Sequence, residues 1–182
     1  MIAAEDYDNV YVVDSTSAAV GSGILVELAV RLMDEGKTAA EIAEIIDEEK
    51  KNVVLIALLD TLEYLKKGGR ISKTVAFAGA VLNIKPVISI EDGEINLIGK
   101  ARGSKMGNNL LVQEINKSGG VDFSKPVLLG YTGISDALLL KYINDSRHIW
   151  EGNLDKVRYT TVGSAIGTHA GPGAVAVAFF MK

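Results

Sequence analysis

The 182-residue sequence contains no cysteine and only two histidines, His148 and His169. The absence of cysteine excludes disulfide bonds and thiolate metal ligands, and with so few imidazoles a metal would need mostly carboxylate ligands. The sequence therefore disfavours a metal and indicates no other cofactor. Lys and Arg number 19 against 23 Asp and Glu, which gives a net charge of −4. This balance does not favour nucleic acid as a partner, because no excess of positive charge exists to attract a polyanion.

Long apolar runs are also absent. The runs Val53–Leu59 and Ala174–Met181 are far shorter than the roughly 18 residues that suggest a membrane span, and the first residues lack the basic and apolar regions of a signal peptide. These features predict a cytoplasmic protein without stable membrane insertion. The hydrophobic content of 48% nonetheless predicts broad apolar faces, which belong either to a well-filled core or to an apolar pocket.

Residues 1–52 predict one strand followed by two helices. The β-branched run Val10–Val13 is typical of a buried strand, helical periodicity begins at Ser22, and Thr38 with Glu41 predicts a capping box for the second helix. The hydroxyls of residues 15–17 either line a site at the strand end or cap the first helix, and capping is the expected role. A single strand needs neighbours, so this region predicts the remnant of an α/β domain.

Residues 53–182 predict a mixed-sheet α/β domain. The predicted strands are Val53–Leu59, Val87–Ile90, Ile95–Ile98, Val127–Tyr131, Val157–Val162 and Ala174–Phe180. One short helix is predicted after Asp60, and three more are predicted at Thr74–Leu82, Ser104–Asn116 and Ser135–Asn144. The pair Asp92-Gly93 predicts a two-residue hairpin turn, because both residues can adopt the positive φ angles that such a turn requires.

Two segments carry groups that can bind an anion. Arg70 follows a glycine pair that ends a helix and precedes Ser72, which can cap the next helix; a guanidinium beside helix N–H groups is suited to an oxyanion. His169 and Gly171 belong to the glycine-rich segment Gly163–Gly173, which is predicted as a loop between two strands, and its N–H groups and imidazole can surround an anion. A helix cap and a tight connection explain the same residues without a ligand.

A third segment places Lys100, Arg102 and Lys105 at the start of a helix, where the helix macrodipole favours acids. This arrangement indicates either an anionic partner or a solvated basic turn. The sequence contains no Ser/His/Asp arrangement and no phosphate-binding glycine loop. The residues alone therefore predict an α/β domain that can bind an anion, and they predict no particular reaction.

Four motifs occur in an order that resembles the DegV family. They are Val13-Asp14-Ser15, the twelve-residue motif Thr61–Ser72, Leu82-Asn83-Ile84-Lys85-Pro86, and His169-Ala170-Gly171-Pro172-Gly173. The second motif is very specific, and the resemblance spans nearly the whole chain. It implies a protein that buries a long-chain fatty acid, such as palmitate or oleate, between two α/β domains. The carboxyl group is then presented to a fatty acid kinase for acyl-phosphate formation and phospholipid synthesis, so the chain itself is not expected to be an enzyme.

The resemblance also implies roles for individual residues. The residues expected near the acyl carboxylate or phosphate are Arg70, His169, Ser72 and Gly171. Arg102 is expected to dock the kinase, and the segments Thr74–Leu82 and Ala174–Phe180 are expected to form walls of the acyl tunnel. Ala170 stands where the family usually has threonine, so one potential hydroxyl contact is lost.

The resemblance corresponds to a carboxy-terminal portion of the family. Residues 1–52 are expected to be the end of its amino-terminal domain, and residues 53–182 its carboxy-terminal domain. Because further hydroxyl groups for the carboxylate belong to the rest of the amino-terminal domain, we expect this chain alone to bind fatty acid weakly or not at all. A homodimer through an exposed sheet edge is a further expectation.

Two other functions stay open from the sequence. An enzyme or binding module for a phosphorylated small molecule would use the same segments to hold phosphate, and it predicts a broad polar cleft with a general base beside His169. A ligand-free interaction fragment would use residues 10–50 for association.

Overall fold

The computed structural model describes residues 5, 7–71 and 83–182. Its strands are β1 Val53–Leu58, β2 Ile84–Glu91, β3 Glu94–Arg102, β4 Val127–Tyr131, β5 Val157–Thr161 and β6 Val175–Phe180. Its helices are α1 Ala19–Asp34, α2 Ala39–Glu49, α3 Glu63–Lys67, α4 Gly103–Lys117, α5 Ala137–Asp145, α6 Arg147–Trp150 and α7 Ser164–Ala170. Short 3-10 turns, Lys50–Asn52 and Leu154–Lys156, precede β1 and β5.

The strands form one mixed sheet in the order β3-β2-β1-β6-β4-β5. Neighbouring strands are antiparallel except for β4 and β5, which are parallel. This arrangement confirms the predicted mixed-sheet α/β class. The predicted hairpin is also confirmed, because β2 and β3 are joined by Asp92 and Gly93 with φ angles of 51° and 79°.

One face of the sheet packs against α4, α5 and α6. Alternate strand residues point to this side, and the main hydrophobic cluster joins Ile56, Leu129 and Val177 to Leu111 and Trp150. The indole N–H of the tryptophan donates to a serine hydroxyl in this layer at 2.9 Å. This half of the molecule is a filled core.

The other face is covered only in part by α1. Ile24 and Leu28 of α1 join a second cluster with Leu55, Ala178 and Phe180 of the sheet. Helix α2 packs beside α1 and begins at the predicted capping box, in which the Thr38 and Glu41 side chains each bond to the other residue's backbone. The division of the chain at residue 52 stays a prediction.

The strand predicted at Val10–Val13 is not formed, and that prediction is wrong. Residues 10–15 carry neither helix nor strand, and Val10, Tyr11 and Val12 are 38%, 49% and 48% exposed. The described strands all belong to the sheet formed by residues 53–180. A strand that finds no partner there gains no ladder hydrogen bonds, and it is not stable alone.

Three further predictions concern the segments between the strands. The segment Gly163–Gly173 is not a simple loop, because it contains α7, with Gly167 and Gly171 each donating an N–H to the carbonyl four residues earlier. The helix predicted at Ser135–Asn144 is confirmed with its start at Ala137. The predicted helix Thr74–Leu82 lies outside the described residues.

Candidate ligand-binding site

A cavity of about 420 Å³ lies on the sheet face that carries α1. The described residues that line it come from five strands, from the β2–β3 turn, from the segment just before α1, and from α3, α7 and the residues that follow them. Its volume falls within the roughly 300–1,000 Å³ typical of small-molecule sites. Most of the described lining residues are aliphatic, and the polar ones among them are Arg70, His169, Ser17 and Thr132.

The floor of the cavity is a row of very small residues. Ala57 on β1 stands directly opposite Ala176 on β6, and Ala176 stands opposite Gly130 on β4. We call these three positions the small-residue row. Ala57 and Ala176 are partly exposed although both belong to central strands, whereas Ala178, two residues along β6, is fully buried. The space above the row therefore exists because the row carries almost no side-chain volume.

Gly130 closes one end of this space. A Cβ atom at this position would lie 2.8 Å from Val20 Cγ1 and 2.9 Å from Val162 Cγ2. The glycine therefore lets the first turn of α1 and the end of β5 approach the sheet. At the opposite end the cavity reaches Ile88 and Ile95 of the hairpin.

His169 lies on α7 with its ring against Gly68. A Cβ atom at Gly68 would lie 2.0 Å from His169 Nδ1 and 2.7 Å from Cε1, so only glycine allows this close approach. Nδ1 is buried, and it has no hydrogen-bond partner among the described residues. A buried nitrogen without a partner is uncommon and marks a position where function can outweigh stability.

Arg70 meets the same glycine from the other side. Its Nη1 donates to the Gly68 carbonyl oxygen at 2.8 Å, and its backbone N–H donates to Leu65 O at 2.9 Å. Gly69 adopts a φ of 69°, which ends α3 in a left-handed cap. The side chain is exposed, and four of its five N–H donors stay free of the Gly68 bond. The structure thus brings Arg70 and His169 together around Gly68.

Gly171 ends α7 with a φ of 75°. A Cβ atom there would lie 2.3 Å from Tyr64 Cδ2, so this glycine allows α7 to pack against α3. Its carbonyl accepts a hydrogen bond of 2.5 Å from Thr132 Oγ1, which in turn accepts one of 2.8 Å from the Ala174 N–H. Gly171 therefore holds the shape of the wall, and it is not among the residues that line the cavity.

The segment Ser15–Ala19 crosses the cavity in an unusual backbone conformation. Thr16 and Ala19 have φ angles of 47° and 48°, which cost about 1–2 kcal/mol each for residues with a Cβ. Thr16 O accepts a hydrogen bond of 2.8 Å from Gly93 N at the hairpin turn. The segment therefore reaches from the hairpin to the start of α1.

Ser17 lines the cavity from this segment. Its Oγ is buried and has no hydrogen-bond partner among the described residues. The N-cap residue of α1 is Ala18, which makes no side-chain cap, so the expectation that residues 15–17 cap this helix is wrong. The alternative reading, in which these hydroxyls line a site, fits the position of Ser17.

The other predicted site residues lie elsewhere. Ser72 is outside the described residues. Arg102 ends β3 opposite Ile84, is exposed, and does not line the cavity. Within residues 5, 7–71 and 83–182, no three His, Asp or Glu side chains are grouped so as to hold a metal ion. In that same part of the chain, no helix has the length and hydrophobicity needed to cross a bilayer.

Sequence reasoning missed Thr132 and the small-residue row, and it gave a site role for Ser17 only as the alternative to a helix cap. Thr132 had a weak signal, since it is a hydroxyl residue directly after a strand. The small-residue row had no signal in the local sequence, because Ala57, Gly130 and Ala176 become neighbours only through strand register.

An aliphatic cavity with a guanidinium and an imidazole beside it has the groups needed to hold an amphipathic acid. The chain belongs to the DegV family, whose model, described as an uncharacterised protein family, matches residues 1–182. A DegV domain-containing protein of Caldanaerobacter subterraneus is 33% identical over 179 residues, which are 97% of this chain and 62% of that protein. The chain therefore spans less than two thirds of the length of this relative.

Solved structures of the same family resemble the whole chain. A DegV family protein from Eubacterium eligens, loaded with heptadecanoic acid, superposes with a TM-score of 0.84 at 25% identity and covers 100% of this chain and 65% of its own. The Streptococcus pneumoniae Fatty Acid Kinase (Fak) B3 protein, loaded with linoleic acid, gives a TM-score of 0.85 at 25% identity, with 100% and 64% coverage. These neighbours confirm the predicted fold.

Proposed function

We propose that this chain binds a long-chain fatty acid, with the acyl chain in the cavity and the carboxylate beside Arg70 and His169. The observation that carries the proposal is the aliphatic cavity with these two cationic or hydrogen-bonding side chains at one side. Each methylene that leaves water for such a cavity contributes about 0.8 kcal/mol. The mostly aliphatic lining favours an acyl chain over a small phosphorylated molecule, which would need a polar cleft.

The carboxylate contact rests on the two residues at Gly68. Arg70 uses one N–H on the Gly68 carbonyl, and its planar fork matches the two oxygens of a carboxylate. His169 can donate a second bond through an imidazole N–H. The predicted contributions of Ser72 and Gly171 stay proposals, and Gly171 acts through the shape of the wall.

The chain serves as a carrier and not as an enzyme in this proposal. It presents the carboxyl group to a fatty acid kinase in the cytoplasm, and Arg102 docks that partner. Support comes from the exposure of Arg102 outside the cavity and from the kinase-related name of the pneumococcal neighbour. A homodimer of this chain stays an additional proposal without its own structural support.

Binding by this chain alone is weaker than binding by a full-length relative. Support comes from the match to 62% of the Caldanaerobacter protein, since the family resemblance assigns further carboxylate contacts to the amino-terminal domain. A dissociation constant of about 1 µM or tighter for palmitate or oleate would contradict this part of the proposal.

Equilibrium dialysis with labelled palmitate and with its methyl ester tests the function. Arg70→Gln should lower palmitate affinity about tenfold, the worth of one charge-assisted hydrogen bond, and it should leave the ester unchanged. Arg102→Gln is the matched control, which should leave palmitate binding intact but reduce acyl phosphate formation by the kinase. The absence of saturable palmitate binding at any accessible concentration would overturn the proposed function.

A further inference from the structure

We infer that the small-residue row sets which acyl chains this protein accepts, and that Ala176 is its specificity-determining residue. The inference rests on the proposed function and adds the path of the chain, which runs across the strands. Ala57, Ala176 and Gly130 are direct cross-strand partners, and Ile88 extends the row because it pairs with Ala57. All four residues line the cavity.

The length of the row matches a substantial part of an acyl chain. From Ile88 to Ala176 it crosses two inter-strand spacings of about 4.8 Å, or roughly 10 Å, and it ends there because Val20 and Val162 fill the space over Gly130. An extended hydrocarbon advances about 1.25 Å per carbon for a bond of about 1.5 Å. The row therefore holds about eight carbons, which is half the chain of a C16 acid.

The neighbouring rows form the sides of this path, and Leu55, Leu59 and Thr132 line the cavity from them. On one side Leu55 and Leu128 flank the fully buried Ala178, and α1 packs on this row. On the other side Leu59 and Thr132 are buried, and the Thr132 hydroxyl is committed to the backbone. The open path between them is the small-residue row.

Ala176 lies at the end of this path, next to Gly130. A leucine at this position adds three carbons above the floor between Ala57 and Gly130, so it displaces about three methylenes of a ligand. Since each methylene changes affinity about fourfold, the loss for palmitate is on the order of 60-fold. An acid short enough to end before this position loses nothing.

The test measures affinity for saturated acids from decanoate to palmitate in the wild type and in Ala176→Leu, by competition with labelled palmitate. The affinity of the wild type should rise about fourfold with each added methylene, up to palmitate. The variant should follow the same rise for the short acids and then reach a plateau about three carbons earlier. Ala57→Val adds volume beside Ala176 with a residue favoured in strands, so its affinity should also stop rising at a shorter acid. This variant replaces Ala176→Leu in the test if Ala176→Leu does not fold.

Ala137→Leu is the matched control, because Ala137 is exposed on α5 outside the cavity. Its length dependence should equal that of the wild type. An Ala176→Leu profile that is unchanged, or one that falls equally for every acid, would overturn the role of Ala176. Failure of the wild type to bind any of these acids would instead overturn the proposed function, and the inference with it.

Discussion

The close contact between Gly68 and His169 predicts that one added methyl group, in Gly68→Ala, impairs fatty acid binding. In Gly68→Ala the new Cβ atom would lie 2.0 Å from His169 Nδ1, so the imidazole must move by more than 1 Å. The backbone itself does not oppose the change, because Gly68 has an ordinary helical φ of −76°. The strain falls on a half-buried ring, and we expect a loss of about 1 kcal/mol in the free energy of unfolding, at the low end of overpacking effects.

Fatty acid binding should suffer more than stability. A displaced His169 no longer donates to the carboxylate, which corresponds to about a tenfold loss of palmitate affinity. Dialysis gives the affinity, urea unfolding gives the stability, and the NMR signals of the His169 ring report its displacement. Gly163→Ala is the matched control, since its φ is −61° and no atom lies within 4 Å of the added Cβ. Normal palmitate affinity in Gly68→Ala, with an unshifted His169 ring, would refute this reasoning.

Two further predictions concern stability. Thr132→Val leaves the Ala174 N–H without its buried acceptor, so urea unfolding should show a loss of about 2 kcal/mol, whereas Thr160→Val, at an exposed position, should change stability by less than about 0.5 kcal/mol. The hydrogen bond from the Thr38 backbone N–H holds the pKa of Glu41 below its usual 4.5, so this pair stabilises the fold above pH 4.5 and its contribution is lost as the pH falls through the lowered pKa. Thermal unfolding as a function of pH should therefore show a smaller acid-induced loss in Glu41→Gln, and an identical pH profile would contradict the capping-box explanation.

Local chemistry predicted the elements whose geometry is decided by a few adjacent residues. The Asp92-Gly93 turn is one, because its positive φ angles are a property of those two residues. The Thr38 and Glu41 capping box is another, since both hydrogen bonds lie within four residues. The strand at Val10–Val13 failed because strand stability depends on a distant partner, and the sheet supplies none within the described residues.

The candidate site also combines features that adjacent residues decide with features that depend on distant partners. Arg70 and His169 were candidates from their own segments, and the family resemblance implied their role. Their common contact, Gly68, became visible only in the packing of α3 against α7. The small-residue row joins β1, β4 and β6, whose pairing the sequence does not encode locally. Glycine-rich composition also misled the reading of residues 163–173, because Gly167 lies inside a helix.

Methyl NMR of the alanines tests the central claim most directly. Palmitate should shift the methyl signals of Ala57 and Ala176, which line the cavity, and leave that of Ala137 on the opposite side unchanged. Intermolecular contacts from these two methyls to the acyl chain should accompany the shifts. Saturable palmitate binding without any change at Ala57 and Ala176 would contradict the account, because the acyl chain would then lie outside the cavity.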